Sequence, residues 1–302
     1  MALIELVVMS KPLIVYIAGY GRSGSTALDV ALGATCRNAV SLGEAIGLPR
    51  SVAGRRIGCS CGEAYEECNV WGACLRQSET GKQQWLTVSR CDGLLPVNAH
   101  ARAAYSTFWQ NVLETRLNGR KSEVAEHEPV QRGIGIDSSK TTVCTAKRPK
   151  NLVEFGVADV FVVHVRRSLR GVLASRRKGR NVELVSNKGM AALSAREKWF
   201  GLIWYLVVPL HIIFANLVAK GMKRYKGGAG YAKVEFDQIV RNPEAVALEI
   251  WEQVKAATGR EVMISSPRSN RVRADHFIEG NRLLQRDGGV RIRPDESIVK
   301  NG

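Results

Sequence analysis

Apolar runs without polar interruption mark several strands along the chain. Leu13 to Ala18 forms the first run, Ile134 to Asp137 a shorter one, and VADVFVVHV from Val157 the longest. Such runs are typical of parallel strands that are buried on both faces of a sheet. The segment GYAKVEF from Gly230 predicts one more strand.

Apolar residues at helical spacing predict helices between these strands. Helices are expected from Thr26, over residues 98–118, in SLRGVLASRRKG, over residues 190–219, and from about Pro243 to a stop at Gly259. Residues 37–75 look rich in turns. Because strands alternate with helices, the pattern predicts an α/β fold in which helices flank a parallel β-sheet and ligands bind at the carboxyl ends of the strands.

The first strand is followed by GYGRSGST, a glycine-rich loop that runs into a helix. Backbone N–H groups at a helix N-terminus bind phosphate or sulfate well. From Gly19 to Gly24 the spacing matches a nucleoside triphosphatase loop, but Ser25 stands where that loop has its lysine. Arg22 is the cation instead, and a planar guanidinium suits a tetrahedral anion. The alternative is a plain glycine-serine connection without a ligand.

A second basic cluster follows the longest strand. Arg166, Arg167 and Arg170 leave that strand, and Ser175 lies on the predicted helix behind them. Cations at the mouth of a buried strand are well placed to hold a second phosphate, although a solvated basic helix face would give the same pattern. Two anion sites on one sheet indicate a ligand that is phosphorylated at both ends.

Composition narrows the class of protein. The 302 residues are 45% hydrophobic and 24% charged, which excludes a largely disordered chain, and the net charge of +16 favours acidic ligands, nucleic acid or an anionic membrane. Seven cysteines, an odd number, do not suit the disulfide framework of a small secreted domain. Residues 1–19 have no signal-peptide pattern and are expected to form a strand, so a cytoplasmic location is expected.

Residues 200–219 contain no formally charged side chain and precede the basic segment KGMKRYK. Their length is that of a marginal membrane span. Pro209, His211 and Asn216 favour a pair of buried helices that is broken at Pro209. A membrane-surface element and a true span are the alternatives, and either would make the protein membrane-associated.

Segments spread over most of the chain resemble the sulfotransferases that use 3′-phosphoadenosine 5′-phosphosulfate, particularly the bacterial members. In chain order these segments are GYGRSGST, LGEAIGL with CSCGEAYEECNVW, GIDSSK, RSLRGVLAS, KVEFDQIVRNPEAV and HFIEGNRLLQR. The resemblance implies a P-loop-like sulfotransferase architecture with a helical insertion. The chain departs from the family at Ser168-Leu169, where Asp-Pro is usual, and at Leu284, where an arginine is usual.

The resemblance also implies the cofactor and its contacts. The donor would be 3′-phosphoadenosine 5′-phosphosulfate, and the product adenosine 3′,5′-bisphosphate. The 3′-phosphate would be held by Arg167 and Ser175. Arg282 or Arg286 would close over the cofactor. The remaining contacts would be Gly21, Arg22, Ser23, Gly24, Ser25 and Thr26 around the 5′-phosphosulfate, and Gly280 and Asn281 in the C-terminal element.

The reaction implied is in-line transfer of the sulfuryl group to the hydroxyl or amine of a small-molecule, saccharide, lipid or peptide acceptor. Arg22 and the loop amides would stabilise charge on the leaving oxygen without a metal. The resemblance makes Glu44 the base, with a solvated loop glutamate as the alternative. Lys140 would either polarise the bridging oxygen or neutralise Asp137 in a structural pair.

Two histidines and three cysteines are the remaining candidates for a functional role. His276 is a candidate contact of cofactor or substrate, and His164, inside an apolar strand, is expected to be a core histidine. Cys59, Cys61 and Cys68 lack the paired C-x2-C spacing of structural zinc sites. No metal is therefore expected, and buried thiols or an oxidised pair are favoured.

Two other classes of function fit parts of the sequence. One is a P-loop-like phosphotransferase or nucleotide-binding regulator, against which the missing lysine at position 25 argues. The other is a non-enzymatic basic protein that binds polyanions or a membrane surface; nucleic acid is not the expected partner. One sulfotransferase domain is expected over residues 1–302, with a flexible tail over 288–302. Residues 37–130 and 180–230 are expected to shape the acceptor site. Contact of residues 200–219 with a membrane is left open.

Overall fold

A computed structural model describes residues 11–52, 59–77, 82–118, 133–175, 195–267, 269–272, 276–278 and 290–292. Its main sheet has five parallel strands in the order β2-β3-β1-β4-β5. These strands are β1 (Leu13–Ala18), β2 (Ala39–Gly43), β3 (Ile134–Asp137), β4 (Asp159–Arg166) and β5 (Gly230–Glu235). A short antiparallel pair joins β6 (Arg271–Val272) to β7 (Val290–Arg291).

Helices flank this sheet, which confirms the predicted α/β class. They are α1 (Ser25–Thr35), α2 (Gly47–Val52), α3 (Trp71–Gln77), α4 (Lys82–Cys91), α5 (Ala99–Asn118), α6 (Arg148–Glu154), α7 (Ala195–Lys223), α8 (Phe236–Arg241) and α9 (Pro243–Thr258). Residues 169–175 are also helical. The helices α2 to α5 all lie between β2 and β3, so this is where the helical insertion falls.

The central strand β1 is buried along its whole length. Its side chains alternate between two cores, because successive residues of a strand point to opposite faces of the sheet. Leu13, Val15 and Ile17 pack with α1 and α9, and Ile14 and Tyr16 pack with residues of α3 to α7. The continuous apolar run in the sequence thus reflects burial on both faces.

Residues 37–75, expected to be rich in turns, contain the edge strand β2 as well as α2 and α3. β2 pairs only with β3 in the described sheet, in a register that shifts between Ser41 and Gly43. Its five residues include a serine and a glycine, so its sequence alone resembles a turn. Pairing with β3 and burial of all five residues make it a strand.

The helix α7 is continuous through Pro209, so the expected break into two helices is wrong. A proline inside a helix removes one backbone hydrogen bond, but a helix is held mainly by burial of its apolar face. Val208, Ile212, Ala215 and Ala219 supply that face, whereas other apolar residues, Leu210, Ile213 and Leu217, are exposed. Among the helices that the structure describes, none is long and apolar enough to cross a membrane.

Candidate anion-binding site

Segments that follow the five parallel strands meet at one edge of the sheet. Gly19, after β1, and Thr141, after β3, exchange two hydrogen bonds: Gly19 N–H donates to Thr141 Oγ1 at 3.1 Å, and Thr141 N–H donates to Gly19 O at 2.9 Å. Ser138 N–H donates to Gly43 O at 2.9 Å, which joins the ends of β3 and β2. The glycine-rich loop, residues 19–24, therefore lies at the centre of this edge.

Close backbone approaches fix the shape of the glycine-rich loop. A Cβ atom at Gly19 would lie 2.7 Å from Val165 O, and one at Gly24, where φ is 93°, would lie 2.8 Å from the Phe236 ring. Arg22 has φ 71°, which is uncommon for a residue with a side chain. No other residue type fits at the two glycine positions without displacing β4 or Phe236.

The loop and the start of α1 hold several hydrogen-bond donors. The helix α1 begins at Ser25 with no side-chain cap, so its first N–H groups lack partners within the helix. The Ser23 hydroxyl is buried and has no hydrogen-bond partner among the described residues. Arg22 and Thr26 are half-buried beside them. This set of donors suits a tetrahedral anion.

Arg167, after β4, contacts the loop directly. Its Nη1 donates to Arg22 O at 2.7 Å, and its guanidinium lies 3.6 Å from the centroid of the Phe236 ring. Burial lowers the pKa of Arg167 below its usual range, yet a guanidinium remains charged at neutral pH. Arg166 is exposed and pairs with Glu235 at 3.6 Å. Of these two neighbouring arginines, Arg167 contacts the loop and Arg166 pairs with β5.

Glu44 and Lys140 form an ion pair next to the loop, with Lys140 Nζ 2.6 Å from Glu44 Oε1. Glu44 is nearly buried and Lys140 is partly exposed. A Cβ atom at Gly21 would lie 3.3 Å from Lys140 Cδ, so the lysine runs along the loop. Of the two roles expected for Lys140, neutralising Asp137 is excluded by this geometry, since Asp137 pairs with another cation.

That cation is Arg148, which the sequence analysis missed. Its Nη2 lies 2.7 Å from Asp137 Oδ2 and its Nη1 lies 3.0 Å from Asp92 Oδ2, and all three side chains are buried. Tyr105 OH donates to Asp92 Oδ1 at 2.7 Å. Asp137 also accepts from Ser139 N–H at 2.9 Å. The network therefore fixes the turn that carries Lys140.

Asp29 is a second residue that the sequence analysis missed. It lies on α1 one turn after Ser25 and is fully buried, and neither of its carboxyl oxygens has a hydrogen-bond partner among the described residues. Burial raises its pKa to about 8, and the neighbouring hydroxyls of Ser138 and Ser41 offset only part of that effect. Asp29 is therefore mostly protonated at neutral pH. The sequence signal that could have revealed this residue is that Asp29 is the one charged side chain in α1.

The remaining predicted residues fall in three groups. Gly280, Asn281, Arg282 and Arg286 lie outside the described residues. Ser175 is half-buried at the end of the helical segment 169–175. His276 lies against Cys68 instead of the glycine-rich loop. His164 is a buried core histidine as expected, 2.7 Å from Tyr231 OH and 2.8 Å from Asn216 Oδ1, and burial lowers its pKa.

Two sulfotransferases are among the solved structures that are similar to this chain, whereas no family model and no curated protein matches it. The sulfotransferase domain from the Synechococcus PCC 7002 olefin synthase is 15% identical, with 97% of this chain and 84% of that chain covered and a TM-score of 0.39. A sulfotransferase from Alicyclobacillus acidocaldarius is 16% identical, with 92% and 90% covered and a TM-score of 0.37. The assignment of function rests on the residues of the site.

Proposed function

We propose that this protein transfers the sulfuryl group of 3′-phosphoadenosine 5′-phosphosulfate to a hydroxyl or amine of an acceptor. The observation that carries the proposal is the hydrogen bond from Arg167 Nη1 to Arg22 O, which joins two anion-binding elements on neighbouring strands. A guanidinium has further N–H groups, so Arg167 keeps donors for a phosphate while it holds the loop. A nucleotide that bears phosphate groups on both sides of its ribose fits such a pair of sites.

Each residue has a defined task in this reaction. The acceptor oxygen or nitrogen forms a bond to sulfur while the bond between sulfur and the 5′-phosphate oxygen breaks. Arg22, the Ser23 hydroxyl and the N-terminus of α1 stabilise the charge that grows on the leaving oxygen. Glu44 accepts the acceptor's proton. Lys140 holds the Glu44 carboxylate in place through their ion pair and, because it runs along Gly21, would also lie beside the leaving group.

Replacing Arg167 by alanine is expected to weaken binding of adenosine 3′,5′-bisphosphate about 10- to 100-fold, since one charge-assisted contact to phosphate and the support of the loop are both lost. Titration calorimetry with the bisphosphate measures this. Arg166→Ala is the matched control, because Arg166 is exposed and points to Glu235. ADP is expected to bind weakly, with or without magnesium. Tight ADP binding that requires magnesium would instead support a phosphotransferase.

Replacing Glu44 by glutamine is expected to slow sulfuryl transfer from the donor to water roughly 100-fold, because a positioned base contributes at least that much. The affinity for adenosine 3′,5′-bisphosphate is expected to stay the same. Release of the bisphosphate under saturating donor measures the rate. Glu66→Gln, an exposed glutamate of the same connection, is the control. An unchanged rate in Glu44→Gln would remove Glu44 from the mechanism.

A further inference from the structure

Four side chains with metal-binding atoms converge outside the anion site: Cys59, Cys61, Cys68 and His276. Their three sulfur atoms and one imidazole nitrogen all lie within 4.8 Å of one another. His276 Nδ1 is 3.2 Å from Cys68 Sγ and 3.7 Å from Cys59 Sγ. In tetrahedral zinc sites with these ligands, neighbouring donor atoms are about 3.6 to 3.8 Å apart. The four groups are thus close enough together for one ion to reach all of them with small side-chain adjustments.

The backbone around these groups holds them in place. Gly62, at φ 98°, closes a tight turn in which Gly62 N–H donates to Cys59 O at 3.0 Å. Trp71 N–H donates to Cys68 Sγ at 3.5 Å and so helps to hold that sulfur in position. Trp71 Nε1 also donates to His276 O at 2.7 Å. His276 has the uncommon φ of 52°, which turns its ring towards the thiols.

We propose that Cys59, Cys61, Cys68 and His276 bind one Zn²⁺ ion as a structural site. Thiolate and imidazole ligands select zinc over magnesium and calcium, and four protein ligands leave no position open for catalysis. All three cysteines are free thiols. The spacing of the three cysteines alone did not indicate a metal, because the fourth ligand, His276, follows Cys68 by 208 positions.

The ion would tie the strap, residues 276–278, to the rest of the fold. Within the strap, Ile278 bridges to both Gly43 and Cys59, and Ile278 O accepts from Glu44 N–H at 2.8 Å. Ser60 Oγ accepts from Phe277 N–H at 2.9 Å. A zinc ion bound to Cys59 and His276 would therefore also fix the backbone of Glu44. This inference concerns metal binding and holds whether or not the protein transfers sulfuryl groups.

The test is the metal content of the full chain and of matched variants. Protein purified from zinc-supplemented cells and dialysed against metal-free buffer is expected to retain one zinc ion per chain. Elemental mass spectrometry measures this content. Cobalt added to the metal-free protein is expected to give the visible bands of tetrahedral Co²⁺ and a thiolate charge-transfer band. Cys61→Ser is the first variant, because Cys61 is exposed and its replacement leaves the core intact.

Cys61→Ser and His276→Asn are both expected to weaken zinc binding more than about 100-fold, since loss of even an outer partner of a metal ligand costs 10- to 100-fold. Asparagine tolerates the positive φ of position 276, so circular dichroism of this variant is expected to match the parent. Cys144→Ser, an exposed cysteine outside the cluster, is the control and is expected to bind zinc like the parent.

Three results would overturn the proposal. They are a parent protein without retained zinc and without cobalt bands, a Cys61→Ser variant that binds zinc as tightly as the parent, and a disulfide between two of the three cysteines found by alkylation and mass spectrometry. Binding of adenosine 3′,5′-bisphosphate is measured on the same samples. Zinc without nucleotide binding would contradict only the proposed reaction, and nucleotide binding without zinc only the metal site.

Discussion

Replacement of Arg148 by leucine is expected to lower the free energy of unfolding by about 3 to 5 kcal/mol at pH 7. Arg148 is buried, pairs with Asp137 and Asp92, and stacks 4.0 Å from the centroid of the Trp109 ring. Without it two buried carboxylates lose their counter-charge. Removing one member of a buried ion cluster lowers the free energy of unfolding by more than the whole cluster contributes to it, because the remaining charges stay desolvated.

Urea unfolding of parent and variant at pH 5 and pH 7 measures this effect. Burial raises the pKa of Asp92 and Arg148 lowers it, so in Arg148→Leu that carboxyl takes up a proton more readily. The loss of stability is therefore expected to be smaller at pH 5 than at pH 7. Arg260→Leu is the control, since Arg260 pairs with the half-exposed Asp159 and its loss is expected to cost about 1 kcal/mol or less. Equal losses in the two variants would contradict this account.

Replacement of Asp29 by asparagine is expected to stabilise the protein by up to about 4 kcal/mol at pH 7. The pKa of Asp29 is about 8 in the folded chain, against an ordinary value of 3.8. Between these values the folded state binds a proton that the unfolded state has released. The free energy of unfolding therefore falls as pH rises from about 4 to about 8, by about 1.4 kcal/mol per unit. Asparagine does not titrate, so this loss is absent.

Unfolding curves at pH 4 and pH 7 test the prediction. Parent and Asp29→Asn are expected to have similar stability at pH 4 and to diverge as pH rises. Asp159→Asn, which removes a partly exposed carboxylate, is the control and is expected to show no such divergence. Parallel profiles for the parent and Asp29→Asn would show that Asp29 is ionised in the folded protein. A protonated Asp29 favours anion binding at the loop, because an ionised carboxylate one turn away would repel a bound anion.

Strands and helices with strong local patterns were predictable from the sequence. β1 and β3 have the predicted bounds, and α9 begins at Pro243 behind an Asn242 side chain that accepts from Ala245 N–H and ends at Gly259 in a left-handed conformation. These features depend on residues close together in the chain. β2 was missed because its identity depends on pairing with β3, which begins at Ile134.

The same distinction holds at the candidate site. The glycine-rich loop is a local motif and was predicted, whereas its hydrogen bond with Arg167 joins residues 145 positions apart and was not predicted. Nothing in the run KRPK marks Arg148 as buried, because its partners Asp92 and Asp137 lie elsewhere in the chain. His276 was a candidate contact of cofactor or substrate and was not linked to the cysteines, because its neighbour Cys68 lies 208 positions earlier. Charged or metal-binding partners that lie far apart in the chain leave no local pattern in the sequence.

The strand order also bears on how the chain is made. β1 is synthesised first, but Leu13 pairs with Ile134 on one side and with Asp159 on the other. Strands this far apart in the chain lose the conformational entropy of a long loop before their pairing contributes any stabilising contact. The nascent chain must therefore keep an apolar strand with one open edge until β4 has left the ribosome. A message truncated before residue 159 would release fragments that aggregate, since the central strand has no permanent partner on that side.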